Sequence, residues 1–185
     1  ILIFSETLEQ HLAHLEEVFT ILQNNQLFVK YSKCTFAQSE LEYLGHVISG
    51  KGVHTDPSKI RAVQVWPVPL TARDIIGFLG LTGYYKRFIK NYGIISRSLS
   101  DLLKKDVVFA WTPTTQAAFL HLKEALATAP VLALPNFKKE FTVETDASNS
   151  GIGAVLTQEG HPISYLGKAL GPKSQALSTY EKECL

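Results

Sequence analysis

Asp146 follows the alternating run Phe141-Thr142-Val143-Glu144-Thr145 and precedes Ala147-Ser148-Asn149-Ser150-Gly151. A carboxylate at a strand end, backed by a hairpin, is a rigid place to hold a divalent metal ion. Glu183, in a helical segment that opens near Ser178, can supply a second oxygen ligand. A plainer reading stands beside this one. An Asp ahead of a Ser-Asn-Ser-Gly turn caps its own backbone, and Glu181 and Glu183 are then surface acids. The histidines His11, His14, His46, His54, His121 and His161 show no metal-ligand spacing with Cys34 or Cys184. Cys34 reads as a small buried apolar residue. Neither a Walker-type phosphate loop nor a nucleophile elbow is present.

A second cluster is cationic. Lys86, Arg87 and Lys90 are interleaved with Tyr84, Tyr85, Phe88 and Tyr92. The net charge of +1 hides the asymmetry around them, because residues 1–50 carry −4, residues 51–110 carry +6 and residues 111–185 carry −1. A nucleic-acid backbone is one partner for such a block. A solvated amphipathic helix whose aromatics face the core is the other reading.

The elements that must position these groups follow from periodicity and caps. Ile1–Phe4 is an apolar run suited to a buried strand. Ser5 can cap a helix over about Glu6–Gln23, whose apolar stripe is Leu8, Leu12, Leu15, Phe19 and Leu22, and Asn24-Asn25 ends it. Leu27–Val29 and Glu42–Ser49 read as strands, with a turn at Gly50–Gly52. Pro57 starts a short helix, and Pro67 and Pro69 break the chain after Trp66. Thr71–Gly80, Thr82–Asn91 and Ser98–Lys104 read as three short helices. Thr112-Pro113 is a strong helix start and Pro130 ends that helix. Phe141–Thr145, Gly151–Thr157 and Pro162–Tyr165 read as strands.

The fold class is therefore α+β or α/β, in three regions: an α/β piece at 1–55, a helical piece at 56–135 and the start of an α/β domain at 136–185. With 45% hydrophobic and 19% charged residues the chain can bury a core, which excludes bulk disorder. No apolar run approaches the roughly 18 residues of a membrane span. No signal peptide is visible, and two cysteines are too few for a disulfide framework, so a reducing, intracellular setting is expected. The absence of methionine and the abrupt ends read as a piece of a longer polypeptide.

Several segments, in order, resemble the polyprotein of gypsy-type LTR retrotransposons. Lys33-Cys34-Thr35-Phe36 with Tyr43-Leu44-Gly45-His46-Val47-Ile48 is similar to the end of the reverse transcriptase palm. Phe78-Leu79-Gly80-Leu81 with Tyr84-Tyr85-Lys86-Arg87-Phe88-Ile89, then Phe109-Ala110-Trp111-Thr112 and Ala129-Pro130-Val131-Leu132, are similar to thumb and connection. Thr145-Asp146-Ala147-Ser148, Gly151–Leu156 and Tyr180–Leu185 are similar to the start of its RNase H domain. Gly77, Gly83 and Ser98 depart from the family pattern, which often has Ser, Asn and Pro there.

The resemblance implies roles. Lys33 falls where the family places a lysine that protonates departing pyrophosphate. Leu44, Gly45 and His46 fall at the primer grip, and Lys86, Arg87 and Lys90 on a surface lying along the phosphate backbone. Asp146 and Glu183 match the first two carboxylates that hold Mg²⁺ for RNase H. The implied partners are an RNA–DNA hybrid or template–primer duplex and the remainder of the polyprotein, with no membrane. The polymerase signature Tyr-x-Asp-Asp is absent from these 185 residues, so the chain alone is expected to be catalytically incomplete. The alternative reading is a non-enzymatic nucleic-acid-binding or interaction module derived from a retroelement.

Overall fold

A computed structural model of the chain describes residues 1–183. The first helix, α1 (Leu8–Asn24), starts with its apolar stripe, two residues later than a Ser5 cap would place it. Thr7 is the cap, its hydroxyl accepting from the Gln10 amide at 3.2 Å, while the Ser5 hydroxyl lies 2.8 Å from His14 Nδ1. Neither Ile1–Phe4 nor Leu27–Val29 forms a strand. Both runs lack a neighbouring strand among the described residues, so no ladder satisfies their backbone, and Ile1, Phe4 and Phe28 stay exposed.

The stretch read as one strand at Glu42–Ser49 is a hairpin. Strands β1 (Glu40–Tyr43), β2 (His46–Ser49) and β3 (Gly52–Thr55) form an antiparallel meander in that order. The two-residue turn between β1 and β2 is Leu44-Gly45, with φ of +49° and +73°. Consecutive left-handed residues give the twist that a tight hairpin needs.

Asp56 caps α2 (Pro57–Gln64), accepting from the Ser58 amide at 2.7 Å, with Pro57 in the first turn. The two helices read at Thr71–Gly80 and Thr82–Asn91 are instead one, α3 (Ala72–Tyr84), followed by a 3₁₀ turn at Lys86–Phe88. A reciprocal cap opens α3, with Asp74 accepting from the Thr71 amide and Thr71 from the Asp74 amide. Ile75, Phe78 and Thr82 are buried on one face and carry the helix through Gly80, because tertiary packing outweighs the weak helix propensity of glycine. Two short helices follow, α4 (Tyr92–Ile95), which the sequence did not suggest, and α5 (Arg97–Asp101). The helix α6 (Pro113–Ala127) begins at Thr112-Pro113 as the caps dictate.

The core lies among α2, α3, α5 and α6. Phe78 and Phe119 pack at 4.6 Å, and Leu99, Leu122, Leu126, Val63, Phe88 and Ile89 close around them. Lys123 reaches across from α6 and donates to the carbonyls of Gln64 and Trp66 at the end of α2, at 3.0 and 2.5 Å. A cation there satisfies carbonyls that a helix end leaves open.

Strands β4 (Thr142–Ala147), β5 (Gly151–Gln158) and β6 (His161–Ala169) form a second antiparallel sheet, followed by α7 (Pro172–Gln175) and α8 (Thr179–Glu183). Residues 131–140 join the two sheets. Leu132 pairs with Val53 of β3 through two 2.8 Å backbone bonds, and the Ala133 amide donates to the Pro162 carbonyl of β6. The second sheet meets the helical part through glycines. A side chain at Gly151, Gly153 or Gly167 would strike Ile94 or Asn91.

Two opposite outcomes are expected for glycine replacement. Gly80 sits inside α3 with nothing within 4 Å of an added Cβ. Gly80→Ala should stabilise the chain by about 1 kcal/mol, read as a rise of about 2–4 °C in Tm. At Gly167 an added Cβ would lie 2.6 Å from the Asn91 Cα. Gly167→Ala should lower Tm, because two backbones must separate to admit it.

Candidate nucleic-acid interface

The Leu44-Gly45 turn is held by residues forty positions away. Leu44 has a branched side chain in a left-handed conformation that costs roughly 1–2 kcal/mol. The Tyr84 hydroxyl donates to the Leu44 carbonyl at 2.6 Å, and the Tyr85 hydroxyl donates to the Gly45 carbonyl at 2.7 Å. Gly45 is required twice over. Its φ is +73°, and an added Cβ would lie 2.9 Å from the Tyr85 hydroxyl. Leu44 itself is 70% exposed, so the tip of the hairpin faces solvent.

His46, the next residue, is buried in an aromatic box. Its ring stacks on Tyr84 at 5.3 Å and 11°, meets Tyr85 edge-on at 5.4 Å, and lies 5.5 Å from Phe88. Arg87 Nη2 lies 3.2 Å from His46 Nε2. A guanidinium only donates, so Nε2 accepts and the neutral ring carries its proton on Nδ1. That Nδ1 is buried and finds no hydrogen-bond partner among the described residues. Burial first, and the Arg87 charge second, hold His46 below its ordinary value of 6.5. Burial pushes the Tyr85 hydroxyl up to about 12, so it remains a donor at any physiological pH.

Lys86, Arg87 and Lys90 are all exposed, and none is in an ion pair among the described residues. Arg87 is partly committed, lying on His46 and 5.7 Å from the centre of the Phe88 ring. Lys86 and Lys90 are left as exposed cations on the segment whose tyrosines bond the hairpin tip. The arrangement follows the second sequence reading, aromatics to the core and cations to solvent, with Tyr84 as the exception and a 3₁₀ turn in place of a helix. Tyr85, Phe88 and Ile89 face the core while the cations and Tyr84 face solvent. Sequence reasoning missed Tyr84 and Tyr85 as partners of the turn; the adjacent tyrosine pair was the available signal.

Lys33 ends a single 3₁₀ turn, Tyr31–Lys33, and is exposed. Asp146 is exposed near the end of β4, opposite Gly153 of β5. The face of β4 carrying Phe141 and Val143 is not buried, since Val143 is 61% exposed. The helix carrying Glu183 packs against β4, while the Glu183 side chain lies outside the described residues. Lys182 of that helix is buried and donates to Asn149 Oδ1 at 3.2 Å. No three His, Cys, Asp or Glu side chains converge on a metal position among the described residues. Mg²⁺ demands a near-octahedral oxygen set, which the described residues do not supply on their own.

The His46 box has a pH signature. The unfolded chain binds the imidazole proton more readily than the folded one. Stability is therefore full above the ordinary histidine value and falls as pH drops from about 6.5 towards the folded value. Arg87→Gln removes one of the two causes. The loss of Tm between about pH 7.5 and about pH 5.5 should be smaller in this variant than in the wild type, and an identical loss would show that Arg87 does not act on His46.

Comparison with known proteins agrees with this architecture. The family "Reverse transcriptase (RNA-dependent DNA polymerase)" matches residues 1–48, and the family "RNase H-like domain found in reverse transcriptase" matches residues 111–185. The chain is 40% identical over its whole length to the retrovirus-related Pol polyprotein from transposon 297 of Drosophila melanogaster, and 38% identical to that from transposon gypsy. It spans only 18% and 19% of those relatives. An uncharacterised mitochondrial protein of Arabidopsis thaliana is 46% identical over 138 residues, which are 74% of this chain and 87% of that protein. Among solved structures, a foamy viral protease-reverse transcriptase in complex with ds DNA has a TM-score of 0.87 at 23% identity, covering 97% of this chain and 32% of that one. The same viral protein in complex with an RNA/DNA hybrid has a TM-score of 0.86, covering 98% of this chain and 25% of that one. Matched along its full length in the same order of segments, the chain belongs to the Pol polyproteins of gypsy-type LTR retrotransposons, in their reverse transcriptase–RNase H region.

Proposed function

We propose that this chain is the part of a retrotransposon Pol that grips the primer–template duplex behind the polymerase site and leads it into the RNase H half. The observation that carries this reading is the exposed Leu44-Gly45 tip, locked to a segment whose free cations are Lys86 and Lys90. A rigid tip can hold a strand end, and mobile cations can follow a phosphate backbone without reading bases. The foamy viral structures that share the fold are of a reverse transcriptase with ds DNA and with an RNA/DNA hybrid, which supports the same partner class here.

On this reading residues 1–55 are palm with primer grip, 56–135 thumb and connection, and 136–185 the opening of RNase H. Lys33 is the proton donor to departing pyrophosphate in the complete polymerase. Asp146 and Glu183 are two of the RNase H carboxylates, completed by residues of the polyprotein outside this chain. Binding is the activity that the chain itself can show.

Titration with an RNA–DNA hybrid at two salt concentrations tests the reading. The logarithm of the association constant should fall linearly with the logarithm of salt, as counterion release requires. Lys86→Ala with Lys90→Ala should weaken binding and flatten that slope by about 1.4–1.8, at roughly 0.7–0.9 per lost phosphate contact. Salt-independent binding, or a slope unmoved by the double variant, would contradict it.

A further inference from the structure

Tyr84 and Tyr85 do different work although they are adjacent and bond adjacent carbonyls. The Gly45 carbonyl has two donors, the Tyr85 hydroxyl and the Asp56 amide at 3.3 Å. The Tyr85 ring is buried in the core, so Tyr85 is an anchor with a redundant hydrogen bond. The Leu44 carbonyl belongs to the outermost residue of the turn, and its bond from Tyr84 is short, at 2.6 Å. Tyr84 is 53% exposed, and one face of its ring lies on His46. Its hydroxyl therefore contributes little to the core, yet it ties the most exposed carbonyl of the hairpin to the cationic segment.

We propose that Tyr84 is a positioning residue, whose hydroxyl holds the Leu44 peptide in its left-handed orientation so that the hairpin tip meets the terminal nucleotide of a recessed strand. This rests on the grip reading above. Without the hydroxyl the Leu44-Gly45 peptide is free to turn, because a branched residue at positive φ reverts when nothing restrains it. The cations at 86 and 90 would still attract the duplex, so general affinity and end recognition separate in this one residue.

Tyr84→Phe in the full 185-residue chain keeps the ring on His46 and deletes only the oxygen. Two duplexes of equal length serve as probes, one blunt and one with a recessed 3′ end. The wild type should bind the recessed duplex more tightly, and Tyr84→Phe should lose that preference by about threefold to tenfold, the worth of one hydrogen bond. Its affinity for the blunt duplex should be unchanged, and its Tm should stay within about 2 °C of wild type. Amide chemical shifts of Leu44, Gly45 and His46 should move in the variant while those of α6 do not. A variant that keeps the preference and these shifts overturns the role of Tyr84. A wild type without any preference, whose turn shifts still respond to Tyr84→Phe, overturns the grip reading while leaving the hold on the turn intact.

Discussion

Burial of Tyr85, Phe88 and Ile89 fixes the segment on which both sheets rest. These three side chains are at most 1% exposed and join the Phe78–Phe119 core. Once they are seated, residues 84–95 have no freedom to slide, because each would have to leave a close-packed interior. On one flank the segment offers two tyrosine hydroxyls and an arginine to the β1–β2 turn and His46. On the other it offers the side chains of Ile94 and Asn91 to Gly151 and Gly153, and the backbone of Asn91-Tyr92 to Gly167 of the second sheet. The long hairpin of the first sheet and the whole second sheet are thereby referred to one short stretch of chain.

The two flanks use different physics. The turn is held by directional bonds to carbonyls and by stacked rings, which specify an orientation. The second sheet is held by close approach at its glycines, to side chains at Gly151 and Gly153 and to backbone at Gly167, which leaves no room for a Cβ and so specifies a distance. The grip proposed above calls for a fixed orientation at the hairpin tip and a fixed spacing to the second sheet, and the segment Tyr84–Ile95 contacts both.

Much of this was legible in the residues. Asp56-Pro57, Thr71 with Asp74, and Thr112-Pro113 are local signals, and each started a helix where the caps require. The strands of the second sheet followed from alternation and turn residues. The apolar runs Ile1–Phe4 and Leu27–Val29 failed as strands because a strand is defined by its neighbour, which a run cannot reveal. The division of α3 failed because Ile75, Phe78 and Thr82 hold the helix through Gly80 by packing, which a linear reading does not reveal. The motif blocks singled out Leu44, Gly45 and His46 and the cations Lys86, Arg87 and Lys90; the structure makes Leu44-Gly45 the hairpin tip and buries His46 behind it. They did not reveal that Tyr84 and Tyr85 bond that tip, since this contact spans forty residues and depends on the positive φ of Leu44. Asp146 was singled out by its place at a strand end and by motif; among the described residues no group of three or more His, Cys, Asp or Glu side chains gathers around it.

Residue-resolved hydrogen exchange on the wild type and Phe88→Ala addresses the central claim directly. Removing the Phe88 ring leaves a cavity that should cost about 3–5 kcal/mol and loosen the segment. The account predicts that protection falls together in β2 and in β6, on the two flanks, while amides in α1, which contributes no buried residue, keep their rates. Loss of protection in one sheet with the other unchanged would show that the segment does not couple them.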